Sequence, residues 1–364
     1  MQKDPSCNIQ KCQHRNECRP CPIKKVMAFG NPLLDTIIHT TDDTLLLKYD
    51  IPVNSQKELN YKEMNQLIAE IEGMEKTVTL GGCSQNFLRA FQWIMNNNCE
   101  TVIVGSIGND EVAEKIKVLL NADHVNSKYI VHKTQLTGRT VCIVNGSDRS
   151  IVAYVGAAAE LPLEDLLAIE DLEDYIKKAN YIYIEGFFLP NREESTDHIL
   201  NICEEHNKIV VANICGVYLC TLCPNALVDL ITRADIVIGN VYEYEALGRV
   251  MDHQSADSLA DYLVKNTKNK ICQYGTIVII TRGGENGKCV YGEGKILEFE
   301  VTKISDEEFK DTIGAGDAFA AGFLAGLCQN KTLIQCCTMG CYTAGSFIKQ
   351  IGCKVPKFPP QPVL

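Results

Sequence analysis

One pattern constrains the fold of this chain more than any other. Short runs that are apolar at nearly every position, at residues 26–30, 102–105, 181–185, 209–214, 236–239 and 277–281, recur along it. Stretches with helical periodicity separate most of them, near residues 111–120, 163–178, 193–206, 224–232, 242–250 and 255–266. A strand without a polar face must be covered on both sides, and strands of that kind spaced by helices predict a largely parallel sheet between two helical layers. The expected class is therefore α/β, a three-layer αβα domain with a mainly parallel central sheet. The 364 residues suffice for a large core.

The early part of the chain interrupts the alternation. Residues 61–73 read as an amphipathic helix with Met64, Leu67, Ile68 and Ile71 on one face. Residues 141–144 and 150–155 read as a hairpin around Asn145-Gly146. These segments predict a second, smaller α/β unit. The division expected is a large domain of residues 25–35, 81–132 and 157–364, a small lid of residues 36–80 and 133–156, and an extension of residues 1–24. That extension holds Cys7, Cys12, Cys18, Cys21 and His14. A zinc knuckle is one reading of it, but one CxxC without a matching second half favours a disordered tail outside the fold.

Composition narrows the function classes. A net charge of −11 without a Lys/Arg block argues against nucleic-acid binding. No apolar run approaches a membrane span, and the first residues lack the apolar core of a signal peptide. The 18 cysteines fall mostly in apolar stretches, as Cys142, Cys203, Cys336, Cys337 and Cys341 do, and are expected to be small buried hydrophobes in a reducing compartment. A monomeric cytoplasmic enzyme, with the nucleus as a second location, is the expectation.

The stretch with the most chemistry is Asp311-Thr312-Ile313-Gly314-Ala315-Gly316-Asp317-Ala318-Phe319, which opens an apolar helix at 318–327. Three small residues at a loop-to-helix junction let backbone N–H groups converge, and the helix dipole adds positive charge there. That makes an anion site suited to a phosphate in transfer. Asp317, on the first turn beside it, suits the base for a hydroxyl nucleophile. A plain Gly-rich turn with an ordinary helix-N-terminal acid explains the spacing equally well.

Four further places follow strands. Asn31 and Asp35 are two short polar side chains expected to face a loop after the first strand, where α/β proteins bind ligands; a turn and a local cap are the bland alternatives. Gly81-Gly82-Cys83-Ser84-Gln85-Asn86 joins a strand to a helix, with glycines that allow close backbone approach and Asn86 on the first turn. Asn240 and Glu243 can share the first turn of a helix as hard oxygen donors for Mg²⁺ held largely through water and phosphate, although a capping box has the same spacing. Thr281-Arg282-Gly283-Gly284 ends another strand. A P-loop at Gly283–Cys289 is rejected, since the outer glycines are too close and no Ser or Thr follows Lys288.

Taken together these motifs resemble the ribokinase-like sugar and nucleoside kinases, whose signature reads DTxGAGDxF. The resemblance implies that the Gly314, Ala315 and Gly316 amides form the anion hole and that Asp317 is the catalytic base. It implies that Asn240 and Glu243 match an NxxE motif that positions the nucleotide's magnesium. It also places Thr281, Gly283, Asn213, Asp311 and Thr312 on the ATP side. The segments GNPLLD at 30–35, GGCSQN at 81–86, Thr137-Gly138, Asp148-Arg149-Ser150 and Gly186-Phe187-Phe188-Leu189 are similar to the adenosine-phosphorylating members, and the likeness runs from 26 to 356. By that likeness Asn31, Asp35, Gly82 and Asn86, with Cys83 in the same turn, surround the ribose; Phe188 stacks near the adenine; Arg149 reaches the phosphates on closure. The implied partners are adenosine and ATP, with Mg²⁺ as cofactor, and the implied reaction is AMP formation in purine salvage. Another sugar or nucleoside kinase of the family, or a non-catalytic nucleoside binder, stays open as an alternative. The chain departs from the family at Cys83, where small hydroxyl residues are usual, at Cys341, where His is expected, mildly at Ile313, and in its Cys-rich extension.

Overall fold

The computed structural model describes residues 23–146, 148–267 and 273–361; the amino-terminal Cys cluster lies outside them. The strands in chain order are β1 (Lys24–Phe29), β2 (Leu33–Thr40), β3 (Gln56–Glu58), β4 (Lys76–Gly81), β5 (Cys99–Ile107), β6 (Asn126–Val131) and β7 (Gly138–Asn145). They continue with β8 (Asp148–Tyr154), β9 (Tyr181–Glu185), β10 (Ile209–Asn213), β11 (Ile236–Asn240), β12 (Ile277–Arg282), β13 (Glu285–Tyr291) and β14 (Lys295–Phe299).

Nine of these form one sheet in the order β14-β13-β12-β11-β10-β9-β1-β5-β6. All neighbours from β12 to β6 are parallel, and β13 and β14 add an antiparallel edge. The apolar runs behave as their composition requires. Val26, Ala28, Tyr183 and Ile238 enter a core with the helices Cys83–Ile94, Ala315–Cys328 and Leu333–Phe347. Their neighbours Met27, Phe29, Ile184 and Val237 enter a second core on the opposite face, with the helices Glu193–Glu205, Pro224–Arg233 and Ala256–Asn266. Successive side chains point to opposite faces of a strand, so each run fills both cores. The fold is α/β, as the alternation predicts, and ribokinase-like, as the resemblance implies.

The other five strands form a sheet in the order β3-β8-β7-β2-β4. The hairpin at Asn145-Gly146 is its β7–β8 pair. The helix Tyr61–Glu70 covers one face with Met64 and Leu67 buried, and an Asn60–Glu63 capping box starts it. The helix expected at 163–178 is two, Leu163–Leu167 and Leu172–Lys178, because Asp171 takes a left-handed φ of 59° between them. Asp35 does not face a loop: β2 begins at Leu33, and Asp35 lies inside it, opposite Thr79 of β4 and Thr140 of β7. The five expected buried cysteines are buried.

Candidate active site

The large sheet reverses its winding between β1 and β9. From β1 the chain moves outward to β5 and β6, then returns to the other side of β1 for β9 through β12. Ligands in sheets of this kind bind beyond the carboxyl ends of the strands at that reversal. Here those ends carry Gly30-Asn31 after β1 and Glu185 at the end of β9, and the Asn31 backbone N–H donates to Glu185 Oε1 across the gap at 2.9 Å. Further along the edge Asn213 stands in register with Glu185, and Asn240 with Thr281.

Asp317 is the centre of this region. It is residue N3 of the helix Ala315–Cys328, whose N-cap Gly314 has φ 73°. A side chain at Gly314 would be strained, and its Cβ would stand 2.3 Å from Cys353 Sγ. The Ala315 amide donates to the Thr312 carbonyl at 3.1 Å. Residues at N2 and N3 have no intrahelical acceptor, so Gly316 and Asp317 carry the amides best placed for an anion, and nothing lies within 4 Å of where a Gly316 Cβ would be. Asn86 Nδ2 donates to Asp317 Oδ2 at 3.1 Å. Burial pushes the Asp317 carboxyl up to about 7; the Asn86 bond opposes this, the charge on Glu185 adds to it, a Cys83 hydrogen bond opposes and Asp35 adds. The group is thus poised to exchange a proton near neutrality.

Asn31 and Asn86 share a feature. The Nδ2 of Asn31 donates to the Phe187 carbonyl at 2.8 Å, and that of Asn86 to Asp317. The Oδ1 atoms of both are buried and have no hydrogen-bond partner. Asp35 is buried beside them on the small sheet and accepts from Thr140 Oγ1 at 2.6 Å; burial pushes its carboxyl up to about 6. Gly82, with φ 82°, is the N-cap of the helix that presents Cys83 and Asn86.

Arg149 crosses from β8 to the loop ahead of the anion turn. Its Nη1 donates to Asp311 Oδ1 at 2.9 Å and to Thr312 Oγ1 at 2.8 Å. Asp311 also accepts from the backbone N–H groups of Ile313 and Gly352. This aspartate therefore braces the turn, the carboxy-terminal segment and the small sheet together.

The remaining predicted residues form a row along the sheet edge. Asn213 Nδ2 donates to the Tyr183 hydroxyl at 2.8 Å. Asn240 and Glu243 make a reciprocal capping box, with Glu243 N donating to Asn240 Oδ1 at 3.0 Å and Asn240 N to Glu243 Oε2 at 2.8 Å. Burial pushes the Glu243 carboxyl up to about 7, opposed by the bonds from Asn240. Thr281 Oγ1 donates to the Gly239 carbonyl at 3.3 Å, and Gly283 sits in the two-residue turn between β12 and β13. Lys288 lies on β13, so no P-loop helix follows those glycines.

Phe188 needs correcting as the base-stacking residue. It is fully buried, with its ring against Phe29 and the Arg192 guanidinium, and has no face for a ligand. Its neighbour Phe187 is the partly exposed ring, stacked on Tyr218 with centroids 5.9 Å apart. Cys341 is buried in the helix Leu333–Phe347. Sequence reasoning passed over Glu185, Tyr218 and Cys215. The one available signal for Glu185 was a carboxylate closing an otherwise apolar strand.

An anion turn, a buried carboxylate beside it and a row of polar strand ends on a ribokinase-like fold define a phosphoryl-transferring class of protein. The model of the pfkB family of carbohydrate kinases matches residues 48–359, and the chain belongs to that family. The adenosine kinase 2 of Arabidopsis thaliana is 30% identical over 342 residues, covering 92% of this chain and 96% of the relative. The adenosine kinase of Dictyostelium discoideum is 27% identical, with 93% and 98% covered. Among solved structures, the adenosine kinase of Anopheles gambiae in complex with a di(adenosine-5) tetraphosphate superposes with a TM-score of 0.82 at 28% identity, covering 92% of this chain and 98% of that one. The Schistosoma mansoni adenosine kinase in complex with 2-fluoroadenosine gives 0.82 at 28% identity, with 91% and 97% covered.

Proposed function

We propose that this protein is an adenosine kinase, transferring the γ-phosphoryl group of ATP to the 5′-hydroxyl of adenosine to give AMP for purine salvage. The observation that carries the reading is the pair of orphaned buried oxygens, Asn31 Oδ1 and Asn86 Oδ1, the second on the amide that donates to Asp317 and both on segments that Glu185 holds. Buried acceptors without partners are costly, so they call for a ligand that brings donors. Both amide nitrogens are committed elsewhere, so the missing partners are O–H or N–H groups, as ribose hydroxyls supply. Phe187, whose backbone carbonyl accepts from Asn31, stacks its partly exposed ring on the exposed ring of Tyr218, a surface suited to a flat base and unneeded for a bare sugar.

In this reading Asp317 accepts the proton of the 5′-hydroxyl as its oxygen attacks the γ-phosphorus. The bond from that phosphorus to the bridging oxygen breaks, and ADP leaves. The Gly316 and Asp317 amides stabilise the charge that develops on the phosphoryl oxygens; the Ala315 amide, expected there, is held by the Thr312 carbonyl. Arg149 adds positive charge at the same mouth. The Asn240–Glu243 pair fits Mg²⁺: Glu243 is a buried carboxylate whose raised protonation a nearby cation would reverse, and both residues offer hard oxygens. Among the described residues no cluster of three or more His, Cys, Asp or Glu could cage a metal, which agrees with an ion held mainly by phosphate and water. When bound, Mg²⁺ supplies neutralisation of the nucleotide's phosphate charge. The five-stranded sheet acts as the lid, closing over the nucleoside.

Calorimetric titration without ATP tests the reading. Adenosine should bind, ribose and fructose much more weakly, and Asn86→Ala should weaken adenosine by about tenfold or more, the cost of a lost buried hydrogen bond. Ribose or fructose binding more tightly than adenosine would shift the substrate class to a sugar.

A further inference from the structure

Glu185 is the buried charge that this mechanism leaves without a task. It is fully buried at the end of β9. Its Oε1 accepts from Asn31 N, and its Oε2 accepts from Ser84 N in a 2.5 Å bond. Ser84 is the second residue of the helix Cys83–Ile94, and that helix has no side-chain cap of its own, since Gly82 stands at its N-cap. Glu185 therefore caps it from a strand 101 residues away in sequence, satisfying a helix-end N–H and meeting the positive end of the dipole. Burial pushes the Glu185 carboxyl up, opposed by the bonds from Asn31 and Ser84 and by the charge of Arg192, whose Nη1 and Nη2 donate to the Ala158 and Phe187 carbonyls. A Cβ on Gly30 would collide with the Ser84 side chain and fall 2.5 Å from Glu185 Oε2, so the residue after β1 makes room for both groups.

We propose that Glu185 is a positioning residue for phosphoryl transfer: one carboxylate fixes the Asn31 segment and the helix bearing Asn86 to each other and sets the electrostatic field around Asp317. The proposal rests on the functional reading above and adds to it a group that touches neither substrate. Both segments that Glu185 holds present orphaned Oδ1 atoms, so their spacing decides whether two hydroxyls are met at once. Its charge raises the proton affinity of Asp317. Asp317 is faced by Asp35 from β2, by Cys83 and Asn86 from the helix Cys83–Ile94, by Cys353 from the carboxy-terminal segment, by Cys215 after β10 and by Tyr183 from β9. Among these, Glu185 and Asp35 are the carboxylates that oppose its ionisation. Glu185 itself is faced by Arg192 and by Cys83, Cys215 and Tyr129.

Two variants separate charge from position. E185Q keeps the shape, loses the charge and can no longer accept with both atoms. It should raise the KM for adenosine roughly tenfold and move the acid limb of kcat/KM down by about one pH unit. E185D keeps the charge but shortens the arm, so the acid limb should stay while KM rises. A merely structural role would lower the melting temperature and leave the acid limb where it is in both variants.

A second measurement needs no substrate and stands even if adenosine proves not to be phosphorylated, a result that would sink the functional reading alone. The native state holds a proton on Asp317 that the unfolded chain loses above the ordinary value of 3.8, so Asp317 costs stability as pH rises from there to about 7. D317N removes that cost. The gain in melting temperature from D317N at about pH 8 should be smaller in an E185Q background than in wild type. Equal gains in the two backgrounds, or an unmoved acid limb in E185Q, would overturn the assignment.

Discussion

The two sheets serve the site in different ways. The nine-stranded sheet offers residues from its strand ends: Asn31 just past β1, Glu185 on β9, Asn213 on β10, Asn240 on β11 and Thr281 on β12. Backbone register fixes these positions, and two helical layers hold the register. The five-stranded sheet offers residues from within its strands: Asp35 in β2, Thr140 in β7 and Arg149 near the start of β8. It packs Leu34 and Leu80 into the core shared with the helix Ala315–Cys328, and it meets the anion turn through Arg149, which donates to Asp311 and Thr312. Packed layers give a fixed frame for chemistry, whereas a sheet joined by charge-assisted hydrogen bonds can part and return at modest cost. In the proposed reading the large sheet is the reaction frame and the small one the gate.

The largest effect expected lies in the frame. Asp317→Asn should fold and bind adenosine, while turnover falls by ~10²–10⁴, the range for loss of a general base. Near-normal turnover would remove the base from the frame. The wild-type rate should rise with pH through a midpoint near neutrality, since burial pushes the Asp317 carboxyl up to about 7 and the base acts unprotonated.

A smaller effect is expected in the gate. Asp35→Ala should lower kcat/KM for adenosine by about 10- to 100-fold and change ATP affinity less. Small-angle scattering with each ligand alone should show compaction by adenosine and little by ATP. Equal compaction by both, or an unaltered adenosine response in the variant, would break the division between frame and gate.

The smallest effect concerns the metal. Glu243→Gln should raise the Mg²⁺ needed for half-maximal rate by about tenfold and leave adenosine affinity unchanged. Lost adenosine affinity with a normal Mg²⁺ response would make the Asn240–Glu243 pair a cap and nothing more.

What the sequence revealed follows the same division. Strands buried on both faces are apolar at every position, so the frame was readable, and the anion turn with Asp317 was readable because its residues are contiguous. The gate was less so. Leu33–Thr40 lacks a clean alternation and follows β1 after only a short break, so residues 31–35 read as a loop although β2 begins at Leu33. Glu185 showed only as a carboxylate closing an apolar strand, and its role was hidden because its partners lie 154 and 101 residues away. The choice between Phe187 and Phe188 depends on the short turn Gly186–Phe188, which sends adjacent rings in different directions, one into the core and one toward Tyr218.

The central claim is that this frame phosphorylates a nucleoside hydroxyl. A coupled ADP-release assay with ATP, Mg²⁺ and a panel of adenosine, other nucleosides, ribose and fructose measures it directly, with the product identified by phosphorus NMR. The account predicts that adenosine gives the highest kcat/KM, that the product is AMP phosphorylated at the 5′ position, and that Asp317→Asn abolishes nearly all of it. Preferred phosphorylation of ribose or fructose, or no ADP release above background with any member of the panel, would contradict it.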